Sequence, residues 1–243
     1  MKITVFSGSH KGREGNTLIM VEEFLKGAEE VGAETENIIL AEKDIRICKG
    51  KFKCWFTSPG ECSIHDDMDE LLSKFMDSDI VIFACPVYFD NVPALMKNFI
   101  DRLTPVLLPH IMEDKKGEYK HANRYEKYPK IVVISNAGLP GQSNFEVESL
   151  FFKRLARALH TELIAEIYRE EGEIFRGQNN FLLKPLLGKY KKLLREAGKE
   201  IVENHTITEK TTKDLEKPIV PPSLYIKFGN EELDRMFEER KLD

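Results

Sequence analysis

Residues 7–17 combine residue types that favour the binding of an anion. Glycines at positions 8, 12 and 15 allow backbone amides to approach a ligand closely, and Ser, Asn and Thr side chains add polar groups. A predicted helix begins at the end of this segment, and helix N-termini attract negative charge. The segment is neither a Gly-x-Gly-x-x-Gly fingerprint nor a Walker A loop. It predicts a phosphate monoester site; the alternative is an ordinary strand-to-helix turn capped by Asn16 or Thr17.

Two later segments carry groups that suit a flat aromatic ligand. In residues 85–93, Pro86 and Pro93 bracket an aromatic pair, Tyr88 and Phe89, in a stiff loop. The alternative is that the two rings only cover the end of a sheet. In residues 135–141, glycines allow a tight turn with outward-facing amides. Because ligands of open parallel sheets bind beyond the carboxyl ends of the strands, we expect the three loops to form one site.

The elements that must position these loops are strands alternating with helices. Short apolar runs predict five strands, at residues 3–6, 34–40, 79–84, 131–135 and 162–168. Apolar residues at helical spacing predict helices at residues 18–32, 68–76, 93–103, 145–159, 186–202 and 231–241. The alternation predicts right-handed crossovers and a parallel sheet that is covered on both faces.

Length and composition predict one folded domain with an appendage. The chain has 243 residues, which is fewer than two domains of about 150 residues each. We expect a domain at residues 1–205, with a cysteine-containing loop at 45–64 and an insertion at 104–129. Residues 206–243 contain three prolines and predict a semi-extended arm that docks on its own domain or on a neighbouring subunit.

Charge and hydropathy exclude several classes of protein. The net charge of −5 argues against a protein whose main partner is DNA or RNA, because phosphate backbones bind basic surfaces. No run reaches the roughly 18 apolar residues of a membrane span. The first residues do not form a secretory signal, and we therefore expect a cytoplasmic protein.

Taken in chain order, these segments resemble the flavodoxin-like fold, and most closely the NAD(P)H-dependent flavin reductases, a branch that includes the iron–sulfur flavoproteins. The resemblance rests on three stretches: Gly8-Ser9 through Gly15-Asn16-Thr17, Cys85-Pro86-Val87-Tyr88-Phe89 with Met96 to Arg102, and Gly60-Glu61-Cys62 with Asp66-Asp67-Met68. It covers residues 1–170. It implies an α/β three-layer sandwich, with a five-stranded parallel sheet between two helical layers and a C-terminal extension beyond it.

The resemblance implies a non-covalent FMN. Its phosphate is expected on amides and hydroxyls of Ser9, Asn16 and Thr17, with charge from Lys11 or Arg13. The isoalloxazine is expected between two loops, and the residues concerned are Pro86, Val87, Tyr88, Phe89, Asn91, Asn136, Ala137 and Gly138. Since the flavin supplies the redox chemistry, no catalytic acid–base pair is predicted.

Three of the four cysteines, Cys48, Cys54 and Cys62, lie close together in the chain. Iron–sulfur flavoproteins look like Cys-x2-Cys-x2-Cys with a fourth Cys a few residues on, and here Lys51 occupies the second position. A four-iron cluster normally requires four thiolates, so we expect no cluster. One alternative is a cluster whose fourth ligand is an unusual residue or is missing. The others are a zinc site completed by His65, a set of redox-active thiols, and cysteines that are simply buried. Trp55 and Phe56 in this loop could line the flavin site or a subunit interface. The alternative is that they pack locally within the loop.

The activity that the resemblance implies is hydride transfer from NAD(P)H to flavin N5. The electrons would then pass to a quinone, a free flavin, a small electrophile or a protein acceptor. The alternatives are a non-enzymatic electron carrier of the flavodoxin type and a scaffold or sensor without a cofactor. Related proteins place their flavins near subunit interfaces, which implies a homodimer or homotetramer.

Overall fold

The centre of the molecule is a parallel β-sheet. The computed structural model describes residues 1–177 and 179–240. Its strands are β1 (Lys2–Ser7), β2 (Glu34–Ile39), β3 (Ile80–Pro86), β4 (Leu107–Glu113), β5 (Tyr119–Asn123), β6 (Lys130–Asn136) and β7 (Leu163–Arg169). Five of them form one parallel sheet in the order β2-β1-β3-β6-β7. This is the flavodoxin-like order, and it confirms the five predicted strands and the predicted fold class.

Helices cover both faces of this sheet. They are α1 (Asn16–Glu30), α2 (Lys53–Phe56), α3 (Met68–Met76), α4 (Ala94–Asp101), α5 (Glu146–Ala158), α6 (Lys184–Asn204), α7 (Glu209–Glu216) and α8 (Pro222–Arg240). The predicted helices of the domain are confirmed, and α2 and α7 are additional. Among the described residues, no helix combines the length and the apolar character needed to cross a bilayer.

Two apolar cores lie on opposite sides of the sheet. One core joins the sheet to α1 and α6, for example through Phe24 and Leu194. The other joins it to α3, α4 and α5, for example through Phe75, Phe99 and Phe152. Successive strand residues point to opposite faces, so strands buried on both faces are apolar along their whole length, as the sequence predicts.

Helices α1 and α6 approach each other unusually closely, and two glycines make this possible. A Cβ atom on Gly27 would lie 1.9 Å from the carbonyl oxygen of Arg195. A Cβ atom on Gly198 would lie 2.1 Å from the carbonyl oxygen of Phe24. Any larger residue at either position would push the helices apart, and α1 carries the first predicted loop of the site at its start.

The insertion and the arm contain more regular structure than the sequence predicts. Within residues 104–129, β4 and β5 form an antiparallel hairpin. The arm is not semi-extended, because it contains two helices, and α8 begins at Pro222 instead of at the predicted Glu231. Proline is well tolerated in the first turn of a helix, where its missing N–H costs no hydrogen bond. Lys241, the predicted end of this helix, lies outside the described residues.

Candidate functional site

The three predicted loops meet at the carboxyl edge of the sheet. Strands β1 and β3 are neighbours there, and the strand order runs outwards from them in both directions. The Gly8 amide donates to the Ala84 carbonyl at 2.7 Å, and the Val87 amide donates to the Asn136 carbonyl at 2.9 Å. Ligands of open α/β sheets bind at such a topological switch point. The predicted composite arrangement of the loops is therefore present.

The first loop leaves the start of α1 open. Gly15 is the residue before the helix and offers no side-chain acceptor, so the amides of Asn16 and Thr17 keep their donors for another group. Ser9 is buried beside this position, and its Oγ accepts a hydrogen bond of 3.3 Å from the Lys11 amide. A Cβ atom on residue 15 would lie 2.6 Å from that Oγ. An uncapped helix start with a buried hydroxyl beside it suits a phosphate group.

Two of the residues predicted for this loop are engaged elsewhere in the structure. The guanidinium of Arg13 forms a two-pronged ion pair with Glu42, with distances of 2.7 and 2.9 Å. The hydrogen bond from Arg13 lowers the pKa of the Glu42 carboxyl. The Thr17 hydroxyl donates to Oδ1 of Asn136 at 2.5 Å, which joins the first loop to the third. Lys11 is exposed and takes part in none of the ion pairs between described residues, so its charge remains for an anion.

The second loop presents aromatic rings on a strained turn. The backbones of Tyr88 and Asn91 exchange hydrogen bonds of 2.9 and 3.1 Å, and Phe89 and Asp90 between them have φ values of 50° and 58°. Two successive positive φ angles are typical of a type I′ turn, which usually contains glycine or asparagine. Phe89 is fully exposed and Tyr88 is half-exposed. Strain held in this way at a sheet edge is typical of functional loops.

The third loop is buried at its start and open at its tip. Asn136 and Ala137 are buried, whereas a Cβ atom on Gly138 would meet no described atom within 4 Å. The Tyr225 hydroxyl, near the start of α8, donates to the Gly138 carbonyl at 2.7 Å. Sequence reasoning did not include Tyr225 in the site, because it lies in the tail, outside the family resemblance.

A buried carboxyl lies beneath the second and third loops. Glu148 of α5 is fully buried and accepts a hydrogen bond of 3.3 Å from the Cys85 thiol. Burial raises the pKa of Glu148 to about 7. Cys85 is itself buried. The sequence carried a signal for Glu148, since it lies on the apolar stripe of the predicted helix, between Phe145 and Phe152.

An ion pair fixes the cysteine-containing loop to the domain. Arg102, at the end of α4, is buried and makes hydrogen bonds of 2.7 and 2.9 Å to both carboxylate oxygens of Asp66. It also donates to the Arg46 carbonyl at 2.6 Å and to the Ile64 carbonyl at 3.2 Å. Burial opposes the charge of Asp66, but the bonds from Arg102 and from backbone amides outweigh it and lower the pKa of the carboxyl. Both ends of the loop are therefore held in place.

The three cysteines of this loop line a cavity of about 440 Å³. Burial, and then the neighbouring Cys62 thiol, raise the pKa of Cys54, so that its thiol stays protonated at neutral pH. Within residues 1–177 and 179–240, no cluster of three or more His, Cys, Asp or Glu residues is arranged to hold a metal ion. Trp55 packs locally, since its ring nitrogen donates to the Thr104 carbonyl at 3.2 Å and its ring lies 4.7 Å from that of His121.

Comparison with known proteins identifies a family and several relatives. Residues 1–123 match the NADPH-dependent FMN reductase family. An iron–sulfur flavoprotein of Methanocaldococcus jannaschii is 40% identical over 48% of this chain and 59% of its own length. An iron–sulfur flavoprotein of Archaeoglobus fulgidus is 36% identical over 68% of this chain and 74% of its own length. The match to the first of these relatives thus spans less than two thirds of its length.

A solved structure supports the fold independently. The FMN-dependent NADH-azoreductase of Bacillus anthracis superposes with a TM-score of 0.61, over 84% of this chain and 100% of its own, at 14% sequence identity. At that identity the likeness concerns the fold alone.

Proposed function

The chain belongs to the NADPH-dependent FMN reductase family, and from this premise we propose that it is an FMN-dependent oxidoreductase that uses NAD(P)H. The single observation that carries the proposal is the open start of α1 next to the buried Ser9 hydroxyl, at the switch point of the sheet. FMN, when bound, supplies hydride and one-electron chemistry.

The first loop would hold the phosphate of FMN. The amides of Asn16 and Thr17 and the hydroxyl of Ser9 provide donors, and Lys11 provides the charge. In this assignment Arg13 forms an ion pair with Glu42 and does not contact the phosphate. Thr17 connects the first loop to the third through its hydrogen bond to Asn136.

The second and third loops would hold the flavin ring. The prolines and the strained turn at Phe89 and Asp90 fix the second loop before a ligand arrives, which lowers the entropic cost of binding. Gly138 leaves the tip of the third loop open to a close approach. Pro86, Val87, Asn91 and Ala137 belong to the same two loops and complete the proposed set.

The electron acceptor, the assembly and the location are also part of the proposal. We propose a quinone, a flavin, a small electrophile or a protein as the acceptor, and a homodimer or homotetramer as the assembly. All four cysteines are free thiols, which is typical of a reducing compartment and supports a cytoplasmic location.

The residues of the cysteine-containing loop do not fit an iron–sulfur cluster, although two relatives are named iron–sulfur flavoproteins. A four-iron cluster normally requires four thiolates. The loop supplies Cys48, Cys54 and Cys62, and the fourth cysteine of the chain, Cys85, is fully buried in β3. Lys51 stands where a further thiolate would be needed. We therefore assign no step of the reaction to this loop.

Mixing the protein with FMN and then with NADH or NADPH tests the proposed activity. We expect the purified protein to take up FMN, and stopped-flow absorbance to show bleaching of the bound flavin by at least one of the two nucleotides. Bound flavin that neither nucleotide reduces would point to an electron carrier. A protein that takes up no FMN would point to a scaffold or sensor.

The substitution Asn16→Asp tests the phosphate assignment. A carboxylate at the start of α1 would repel the phosphate, and we expect FMN to bind about tenfold more weakly or worse. The helix itself should tolerate the change, because acidic side chains are favourable in the first turn. Asn204→Asp, an exposed position at the far end of α6, is the matched control and should leave the dissociation constant unchanged. Equal affinities of the two variants would remove the first loop from the site.

A further inference from the structure

Helix α8 contributes almost nothing to the core of its own chain. Tyr225, near the start of the helix, is half-buried, and its hydroxyl donates a hydrogen bond to the Gly138 carbonyl. Every side chain from Ile226 to Glu239 is exposed. Isolated helices of about 12 to 15 residues are only marginally stable in water, and most helices in proteins owe their stability to a packed face. The exposed part of α8 therefore needs a surface to pack against.

The exposed part of α8 has an apolar stripe with acidic borders. Ile226, Leu233 and Phe237 are 48%, 51% and 62% exposed. Their spacing of seven and four residues places them along one side of the helix. The residues of this part that lie off the stripe include five acidic ones: Glu231, Glu232, Asp234, Glu238 and Glu239. Its two basic residues, Lys227 and Arg235, pair with Glu231 and Glu232, so the acidic charges remain in excess. A surface that receives this stripe should be apolar in its centre and basic at its rim.

The cysteine-containing loop carries a surface with that character. We call it the basic loop surface, and it consists of Ile47, Lys49, Lys51, Phe52, Lys53 and Phe56. Its three apolar side chains are exposed, and its three lysines point to solvent. In this segment, the ion pairs between described residues use Lys43 and Arg46 instead of these lysines. The charges of the three lysines are thus left for a partner.

The basic loop surface is also held in a fixed shape. Phe52 stacks on Trp55 with ring centroids 5.0 Å apart, and Trp55 is bonded to Thr104. Arg102 fixes both ends of the loop. A preformed surface loses little conformational entropy when a partner binds.

We propose that α8 of one copy docks on the basic loop surface of a second copy and forms a twofold dimer. The two surfaces do not meet within one chain, because both are exposed while α8 is formed and anchored by Tyr225. They are complementary in charge and in apolar character, and one chain carries both. A twofold axis therefore covers both surfaces of both copies at once.

Charge reversal tests this pairing in sedimentation velocity experiments on the FMN-loaded protein over a range of concentrations. The loop-reversed variant carries Lys49→Glu, Lys51→Glu and Lys53→Glu. The helix-reversed variant carries Glu231→Lys, Glu232→Lys and Asp234→Lys. In each variant like charges face each other at both contacts of the dimer, and we expect self-association to weaken by about tenfold or more.

Mixing the two variants provides the decisive result. In the mixed dimer, the acidic helix of the loop-reversed chain meets the basic loop of the other chain. The basic helix of the helix-reversed chain meets the acidic loop. We expect an equimolar mixture to associate within about threefold of the wild type, and we expect added salt to weaken the wild-type dimer.

Controls and contrary outcomes are equally specific. The triple variant Lys184→Glu, Lys189→Glu, Lys192→Glu reverses three exposed lysines of α6 and should associate like the wild type. A monomeric wild type, a dimer unaffected by either reversal, or a mixture no tighter than its components would each overturn the proposal. If α8 binds a different protein instead of a second copy, the purified wild type would be monomeric. The readout is assembly and does not depend on reductase activity, so this proposal and the proposed function can fail separately.

Discussion

At the scale of single residues, the most unusual environment belongs to Glu148. Its carboxyl is fully buried between β3, β6 and α5, with the Cys85 thiol on one oxygen at 3.3 Å. Its other oxygen has no hydrogen-bond partner among the described residues. A charge in such a place is costly, and this is why burial raises its pKa to about 7. The folded protein therefore holds a proton there that the unfolded chain releases.

The buried Glu148 predicts that stability falls as pH rises. The folded pKa of about 7 lies above the ordinary value of 4.5. The protonated carboxyl therefore contributes its full stabilisation of the folded state below pH 4.5, and this stabilisation is lost as pH rises through 7. The loss amounts to about 3 kcal/mol of unfolding free energy, since each pKa unit corresponds to about 1.4 kcal/mol. Urea unfolding of the wild type and of Glu148→Gln at pH 5 and pH 8 measures it, and we expect a much flatter pH dependence in the variant.

The matched control for this experiment lies on the same helix. Glu146 is exposed at the start of α5, and Glu146→Gln should keep the pH dependence of the wild type. The assignment fails if Glu148→Gln and the wild type lose the same free energy between pH 5 and pH 8.

Residue types alone point to the proposed site, but they do not identify the partners of its side chains. The run of small and polar residues at 7–17 was sufficient to predict an anion site at the start of α1. Arg13 pairs with Glu42, which lies 29 positions further along the chain. Thr17 is hydrogen-bonded to Asn136, which lies 119 positions further along. No local pattern encodes such contacts, and the same holds for Tyr225 on Gly138.

At the scale of elements, the parts of the fold that are buried on both sides could be predicted. The three central strands of the sheet, β1, β3 and β6, are buried and mostly apolar. Helices α1, α4 and α5 each carry an apolar stripe. Such elements owe their structure to the burial of their own side chains, so the pattern of their own residues is sufficient.

The elements that the sequence did not predict depend on distant partners. The hairpin of β4 and β5 has few buried side chains and contains Pro109. Residues outside the hairpin stabilise it. Arg157 of α5 pairs with Asp114 at 2.8 Å, and the His160 ring is hydrogen-bonded to the His121 carbonyl. Helix α7 is mostly charged and is likewise held from outside.

Helix α7 is fixed to the sheet by one buried arginine. Arg169, at the end of β7, is fully buried and donates to the carbonyls of Leu215 and Lys217 at 3.2 and 2.8 Å. These carbonyls lie at the C-terminal end of α7, where the helix dipole favours a positive charge. The arm is therefore part of the folded domain through α7, and its exposed portion begins after Tyr225 of α8.

At the scale of the whole molecule, the chain divides into a packed body and an unpacked end. Both cores, the three loops of the site and α7 form the body. The part of α8 after Tyr225 projects from it with exposed apolar side chains. In a globular protein, such a surface usually marks an interface.

This division predicts that removing residues 228–243 changes the stability of the protein only where the dimer forms. The deletion keeps Tyr225 and its hydrogen bond to Gly138, and the side chains that it removes from Phe228 to Glu239 are all exposed. At concentrations below the dissociation constant, the truncated and the full-length protein should therefore melt at the same temperature. At higher concentrations dimer formation stabilises the full-length chain, and we expect its midpoint to rise by about 3 °C per kcal/mol gained, with no rise in the truncated chain. Calorimetry over a hundredfold range of concentration measures both midpoints. A truncated chain that melts several degrees lower at every concentration would mean that α8 packs on its own domain.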